Sequence, residues 1–432
     1  MSSALTFIGS FLALFLGGGL WVGFALMALG ILALELFRSM RIDSFLAGDI
    51  WGTATAQELV TLPLFILMGE ILFHTRLSQN LFSGLAPFVR RLPGGLLHVN
   101  VLGCTLFAAV SGSSAATTAT VGRITLKELE NRGYDRRLAL GSLAGSGTIG
   151  FLIPPSIPLI VYGVLAETSI LELFIAGIVP GLMLAVAYMT WIGLASRFGS
   201  VRIPPPEPST TWGHKARALG QLLPLTLLIG FVVGSMYGGF ASVTEAAAIG
   251  VLGALLLTVW ERQLSFGMLR AALFGTVRTC SMIGLILVGA LFLSKAMARL
   301  AIPREVAAAI DGLGLSPYAL ILLLTLFYLA MGCFLDGLST IVMTLPVTLP
   351  LVIAAGFDPV WFGIFLIITI EMAQVTPPVG FNLFVIRTLT GEGIGRIARA
   401  ALPFCLLMVG VVIVLTVWPG LVTWLPDQMR HR

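Results

Sequence analysis

Charged side chains are scarce in this sequence. Lys, Arg, Asp and Glu make up 10% of its 432 residues, against about 25% in ordinary soluble domains. That is too few to clothe a water-soluble chain of this length. Histidine and cysteine are sparse as well, with four of each. His74, His98, His214 and His431 are scattered, so no zinc constellation is legible. Cys104, Cys280, Cys333 and Cys405 all lie in apolar stretches, where they read as small apolar fillers, not as a disulfide framework or metal ligands. No basic run is interleaved with surface aromatics, so the net charge of +5 does not point to nucleic acid. The N-terminus has no basic region and no clear cleavage site, and the expectation is a retained first helix, not a signal peptide. What the chain does have is apolar residues, 57% of the total, with a mean hydropathy of +1.01. It reads as an all-α polytopic membrane protein in a lipid bilayer.

A spanning helix needs roughly 20 apolar residues. Candidate spans are 5–19, 21–37, 57–74, 137–163, 170–196, 218–238, 243–260, 276–297, 358–387 and 402–425, the first two divided at Gly17-Gly18-Gly19. Two further apolar stretches, 94–128 and 316–352, carry polar clusters at their centres: Ser111-Gly-Ser-Ser-Ala-Ala-Thr-Thr118 and Asp336-Gly-Leu-Ser-Thr340. A lipid-facing helix would not bury such a run at mid-depth, whereas a re-entrant hairpin whose tip lines a protein cavity can. Shorter charged segments at 78–92 and 300–313 suit amphipathic surface helices. The stretch 199–217, with Pro204-Pro205-Pro206-Glu207-Pro208, is a hydrophilic linker near the middle of the chain.

The chain also repeats itself. Gly133-Tyr134-Asp135 recurs as Gly356-Phe357-Asp358, and Pro154-Pro155 as Pro377-Pro378, both at an offset of 223 residues. The same offset pairs Ser113 with Asp336, Thr117 with Thr340, and Thr125-Leu126 with Thr348-Leu349. Each half, 1–198 and 218–432, then holds one surface helix, one hairpin and five spans, one of them a Pro-Pro-broken helix (137–163 and 358–387). Counting crossings makes the two halves inverted with respect to each other, a signature of secondary transporters. With both termini outside, about 17 Lys and Arg fall on the inner side against 7 on the outer, as the positive-inside rule requires. Hairpin one then opens from the cytoplasm and hairpin two from the opposite side.

In this layout the two hairpin tips meet the two Pro-Pro breaks near the midplane. Proline frees carbonyls upstream of it, and with Ser and Thr hydroxyls these can coordinate a hard cation such as Na⁺. Half-helix N-termini at the same place favour a carboxylate. Asp336 is the most informative single residue, because a carboxylate deep in an apolar stretch is costly unless it faces a cavity or a partner. It could instead cap the hairpin tip. Glu371 is a weaker candidate of the same kind, free to pair with a neighbouring hydroxyl. The 111–118 cluster could equally be small-residue helix packing.

Several stretches resemble the large membrane subunit of tripartite ATP-independent periplasmic (TRAP) transporters. They are Pro63–Glu70, Ser111-Gly-Ser-Ser114, Arg132-Gly-Tyr-Asp135, Gly147-Thr-Ile-Gly-Phe-Leu-Ile-Pro-Pro-Ser-Ile-Pro158, Phe174–Gly181 and Thr376-Pro-Pro-Val-Gly-Phe-Asn-Leu-Phe384. The resemblance implies Na⁺-driven import of an organic acid such as a dicarboxylate across the bacterial inner membrane, with a transport core moving as an elevator against a scaffold. It implies Na⁺ as coupling ion and no other cofactor. The implied partners are a soluble periplasmic substrate-binding protein and a small four-helix membrane subunit, here a separate chain. It further implies cation ligands among Ser111, Gly112, Ser113, Ser114, Gly147, Thr148 and Pro154 for one site, and Asp336, Gly337, Thr376 and Pro377 for a second. Ser114, Thr117, Thr118, Ser146, Pro155, Ser339, Thr340, Gln374, Pro378 and Asn382 are the expected substrate contacts. One departure is Thr369, where many relatives carry asparagine. A membrane-embedded enzyme acting on a lipid-linked substrate is the competing class, but no basic partner stands beside Asp336 or Glu371 in the sequence. An ion channel of related fold is a third.

Overall fold

A computed structural model describes residues 3–38, 42–56, 58–75, 77–199, 201–205, 211–312 and 314–430. Arg41, Arg76, His431, Arg432 and the linker residues Pro206, Glu207 and Pro208 lie outside these. The described residues form twenty α-helices and no strand. The first ten are α1 (Ser3–Gly17), α2 (Val22–Phe37), α3 (Ile42–Ala54), α4 (Glu58–Phe73), α5 (Leu77–Val89), α6 (His98–Ser111), α7 (Ser114–Asn131), α8 (Arg136–Gly147), α9 (Ile157–Leu165) and α10 (Ile170–Phe198). The second ten are α11 (Trp212–Tyr237), α12 (Val243–Trp260), α13 (Phe266–Arg299), α14 (Ile302–Asp311), α15 (Pro317–Gly332), α16 (Gly337–Ala354), α17 (Pro359–Gln374), α18 (Phe381–Thr390), α19 (Ile394–Val417) and α20 (Gly420–Arg430).

The repeated residues act as helix starts. Asp135 caps α8 through the Leu138 N–H, and Asp358 caps α17 through those of Val360 and Trp361. Ser113 and Asp336 cap the second arms of the two hairpins, α7 and α16. A short oxygen-bearing side chain accepts from the otherwise orphaned amides of a first turn, which is why these residue types recur there. Hairpin one is α6–α7 and hairpin two α15–α16. The broken helices are α8 and α9, joined through a 3₁₀ turn at Thr148–Phe151, and α17 and α18. The Pro154-Pro155 and Pro377-Pro378 peptide bonds are both cis.

Contacts between elements recur in matched pairs. α2 lies along α13 as α4 lies along α12, and α7 packs on α18 as α16 packs on α9. α15 packs on α17 as α6 packs on α8. Helices α1–α5 and α11–α13 pack largely among themselves, while the hairpins and broken helices pack with α10 and α19, and α14 bridges α13 and α16 of hairpin two. The bent pair of α3 and α4, turning by 47°, answers the single long α13.

Three expected boundaries shift and one helix is new. The span placed at 402–425 is two helices, α19 from Ile394 and α20, separated at Trp418-Pro419 where proline cannot continue the helix. The span placed at 276–297 is the middle of the 34-residue α13. Helix α3 was not anticipated, because Asp43, Gly48, Asp49 and Gly52 interrupt its apolar pattern. The hydrophilic linker is shorter than 199–217, since α11 already starts at Trp212.

Small residues let helices approach closely. A Cβ on Gly289 of α13 would stand 2.4 Å from the Gly23 carbonyl oxygen of α2, so the two backbones touch as they do at small-residue crossings in membranes. Gly289→Ala should therefore destabilise the protein by about 1–3 kcal/mol, the range for overpacking. Thermal unfolding in detergent checks this, with Gly284→Ala as control, because a Cβ added there would have nothing within 4 Å. Equal unfolding temperatures for the two variants would contradict the assigned contact.

Candidate functional site

Both hairpin tips and both breaks converge. At hairpin one, α6 ends on Gly112 in the left-handed region (φ 55°), and its Cβ would meet the Pro155 carbonyl oxygen at 3.0 Å. The tip therefore seats on the first break. Ser111 and Thr117 hydroxyls bond each other at 2.7 Å. At hairpin two, a Cβ on Gly337 would lie 2.7 Å from both Gln374 Nε2 and a Phe151 ring carbon. This tip thus touches the breaks of both halves.

The most polar junction lies between hairpin one and the two breaks. Ser114 Oγ is 2.9 Å from Glu371 Oε2 and 3.1 Å from the Gly147 carbonyl oxygen, and it accepts from Asn382 Nδ2 at 2.6 Å. All these side chains are fully buried. A serine hydroxyl has one hydrogen to donate, so it cannot serve Glu371 and Gly147 together. Thr118 Oγ1, Glu371 Oε1 and Asn382 Oδ1 are also buried without a partner. Gly147 must be glycine here, because the Thr118 hydroxyl stands 1.9 Å from the position of its missing Cβ. Three of the junction's oxygens are thus unengaged, two of them pure acceptors and one, that of Thr118, a hydroxyl that can also donate. Buried acceptors left unpaired are costly, and a hard cation satisfies them in the way a proton donor would.

The expected residues divide accordingly. Ser114, Thr118, Gly147 and Asn382 belong to this junction, together with Glu371. Thr148 lies at its edge, with its hydroxyl bonded to the Gly145 carbonyl and near that of Tyr188. Pro154 and Pro155 are buried behind the tip. Ser146 points the other way, bonding the Ser142 carbonyl and Cys104. Asp336 is exposed and accepts the Ser339 N–H at 3.2 Å as the α16 cap, while the Thr340 hydroxyl bonds the Asp336 carbonyl. Thr376 bonds the Met372 carbonyl, and Pro377 and Pro378 are exposed. Gln374 and Ser339 are buried near tip two. The Cys333 thiol of hairpin two lies 3.8 Å from the Thr376 carbonyl oxygen and 3.5 Å from that of Pro377, so these two stand at hairpin two with Asp336.

Sequence reasoning ranked the carboxylates in the reverse of their burial. Every residue of α17 from Val360 to Gln374 is buried, and Glu371 is the one ionisable group among them. Thr369 spends its hydroxyl on the Phe365 carbonyl and offers nothing to the site.

The family model of the tripartite ATP-independent periplasmic transporter, DctM component, matches residues 8–421. This chain belongs to that family. It is 33% identical over 402 residues to the C4-dicarboxylate TRAP transporter large permease protein DctM of Pseudomonas aeruginosa, covering 93% of each chain. It is 31% identical to the 2,3-diketo-L-gulonate TRAP transporter large permease YiaN of Escherichia coli, covering 95% of this chain and 97% of that protein. With the sialic acid TRAP transporter large permease SiaM of Vibrio cholerae it shares 30% identity over 95% of each chain. The crystal structure of the Alcanivorax borkumensis YdaH transporter, described as having an unusual topology, superposes with a TM-score of 0.66 at 16% identity, over 93% of this chain and 97% of that one. That likeness concerns the fold. As a DctM component the chain is a multi-pass transporter permease and not an enzyme.

Proposed function

We propose that this DctM component carries an organic acid across the bacterial inner membrane in symport with Na⁺. The observation that supports the coupling ion best is the buried junction of Ser114, Thr118, Gly147, Glu371 and Asn382. Its orphaned oxygens and single carboxylate suit a monovalent cation. Asp336, Gly337, Thr376 and Pro377 form the second cation site at hairpin two, with Ser111, Gly112 and Ser113 shaping tip one. The substrate's acid group is held by the half-helix N-termini beside Thr117, Thr118, Ser339 and Thr340. Three similar permeases are named for a C4-dicarboxylate, sialic acid and diketogulonate. An acid group is common to these, which favours a carboxylate as substrate.

The two groups of helices support an elevator division, with α1–α5 and α11–α13 as scaffold and the hairpins and broken helices as moving core. A cavity of about 670 Å³ lies at their seam, lined by Thr53, Thr61, Thr168, Ser242 and Lys295 among others. It leaves room beside the core's α9–α10 loop. In this reading the halves are inverted in the bilayer and both termini are periplasmic. A separate small four-helix subunit and a periplasmic binding protein complete the system.

Proteoliposomes holding both membrane subunits should take up substrate only with the loaded binding protein and an inward Na⁺ gradient. Uptake that persists at the same rate when choline replaces Na⁺ would refute the coupling.

A further inference from the structure

At one end of the core, the starts of α8 and α19 and the end of α7 bring a second charged cluster together. Arg136 Nε donates to Glu392 at 2.8 Å and pairs with Glu130, and Arg396 donates to the other Glu392 oxygen at 2.6 Å. The Arg136 hydrogen bond, with Arg396 beside it, holds the Glu392 carboxyl below the usual carboxylate range, so Glu392 is charged at neutral pH. Arg137 and Arg399 enter no ion pair among the described residues, and Arg399 Nε donates only to the Gly395 carbonyl. The cluster carries a surplus of positive charge. A cavity of about 400 Å³ opens among Arg136, Arg137, Leu140, Glu392, Arg396 and Arg399.

The apolar surface next to this cavity defines what fills it. On α19, Leu402, Leu406, Ile413 and Val417 are each at least half exposed. They stand three, seven, fourteen and eighteen residues beyond Arg399, spacings that fall on one helical face. From Leu402 to Ile413 the helix rises roughly 16 Å, about half of a 30 Å hydrocarbon core. A guanidinium cavity thus sits at the head of an exposed apolar stripe one leaflet long.

We propose that this cavity is a binding site for an anionic phospholipid on the transport core: its phosphate rests between Arg137 and Arg399, and one acyl chain lies along Leu402, Leu406 and Ile413. A planar guanidinium takes phosphate oxygens through two parallel N–H bonds. Basic pockets between spanning helices hold anionic headgroups for the same reason. The stripe is what favours a lipid over a free anion, since soluble phosphate has nothing to place on it. This inference needs the chain to lie in a bilayer and does not depend on Na⁺ coupling or on the identity of the transported acid.

The test is lipid binding to the full-length purified chain in detergent, read by native mass spectrometry with phosphatidylglycerol, cardiolipin, phosphatidylethanolamine and inorganic phosphate as probes. Phosphatidylglycerol and cardiolipin should be retained about tenfold or more over phosphatidylethanolamine, the preference carried by two basic residues near an anionic headgroup. The double variant Arg137→Gln/Arg399→Gln should lose that preference while its lipid-free thermal unfolding matches wild type. Arg270→Gln, a basic exposed residue on α13, should keep it. No preference in the wild type, full preference in the double variant, or equal loss in Arg270→Gln would each overturn the proposal. Complete competition by inorganic phosphate would assign the cavity to a free anion instead and overturn it equally.

Discussion

Replacing Glu371 by glutamine should raise the Na⁺ concentration for half-maximal uptake by about tenfold or more. The carboxylate is buried, and its near partners are a hydroxyl and, through that hydroxyl, an amide; no basic side chain bonds to it. Two unit charges 4 Å apart interact by about 4 kcal/mol at an effective dielectric constant near 20. A glutamine carbonyl keeps one oxygen for the ion and gives up the charge, so a tenfold loss, about 1.4 kcal/mol, is a conservative expectation. Stability without Na⁺ should not fall, because glutamine is close to glutamate in size and keeps a carbonyl oxygen as partner for the Ser114 hydroxyl. Uptake measured against Na⁺ in proteoliposomes, together with unfolding temperature with and without Na⁺, checks both parts. An unchanged Na⁺ dependence in a well-folded Glu371→Gln protein would remove Glu371 from the ion's path.

The second large effect is expected at Gly147. Its added methyl would overlap Thr118 Oγ1 at 1.9 Å and crowd Thr118 Cβ at 3.1 Å. Gly147→Ala should therefore abolish Na⁺-coupled uptake and cost about 1–3 kcal/mol of stability. The double variant Gly147→Ala/Thr118→Ala separates two causes. Removing the threonine hydroxyl relieves the overlap, so stability should return toward wild type. Uptake should not return, since the same substitution deletes an orphaned oxygen of the junction. Recovery of wild-type transport in the double variant would mean that Thr118 only fills space.

Much of the architecture was legible because membranes constrain it so strongly. Ser111–Thr118 stood out as a polar run that lipid would not tolerate at mid-depth, and the shared offset of 223 tied it to Asp336–Thr340. The same repeat singled out Asp135 and Asp358, whose role as helix caps only the structure shows. Burial of the carboxylates was not legible, because it depends on packing. Asp336 sits one position before a helix at a turn, where it reaches the surface while capping. Glu371 sits three residues before the end of α17, where neighbours from hairpin one and α18 close over it. The start of α19 was misplaced for a related reason. Arg396 and Arg399 read as loop residues, yet both are exposed and lie on a continuous helix.

The offset of 223 also shows what the duplication does not copy. At that spacing Thr148 stands where the second half has Glu371, Leu159 where it has Asn382, Gly337 where the first half has Ser114, and Ile370 where it has Gly147. No mirror-image twin of the ionic junction can therefore form, although the surrounding helices are paired. The helices around it, by contrast, pack in matched pairs. The buried carboxylate bridged to hairpin one therefore has no counterpart at the matching position of the other half, so the pairing of the helices is not carried through to the polar junction they enclose.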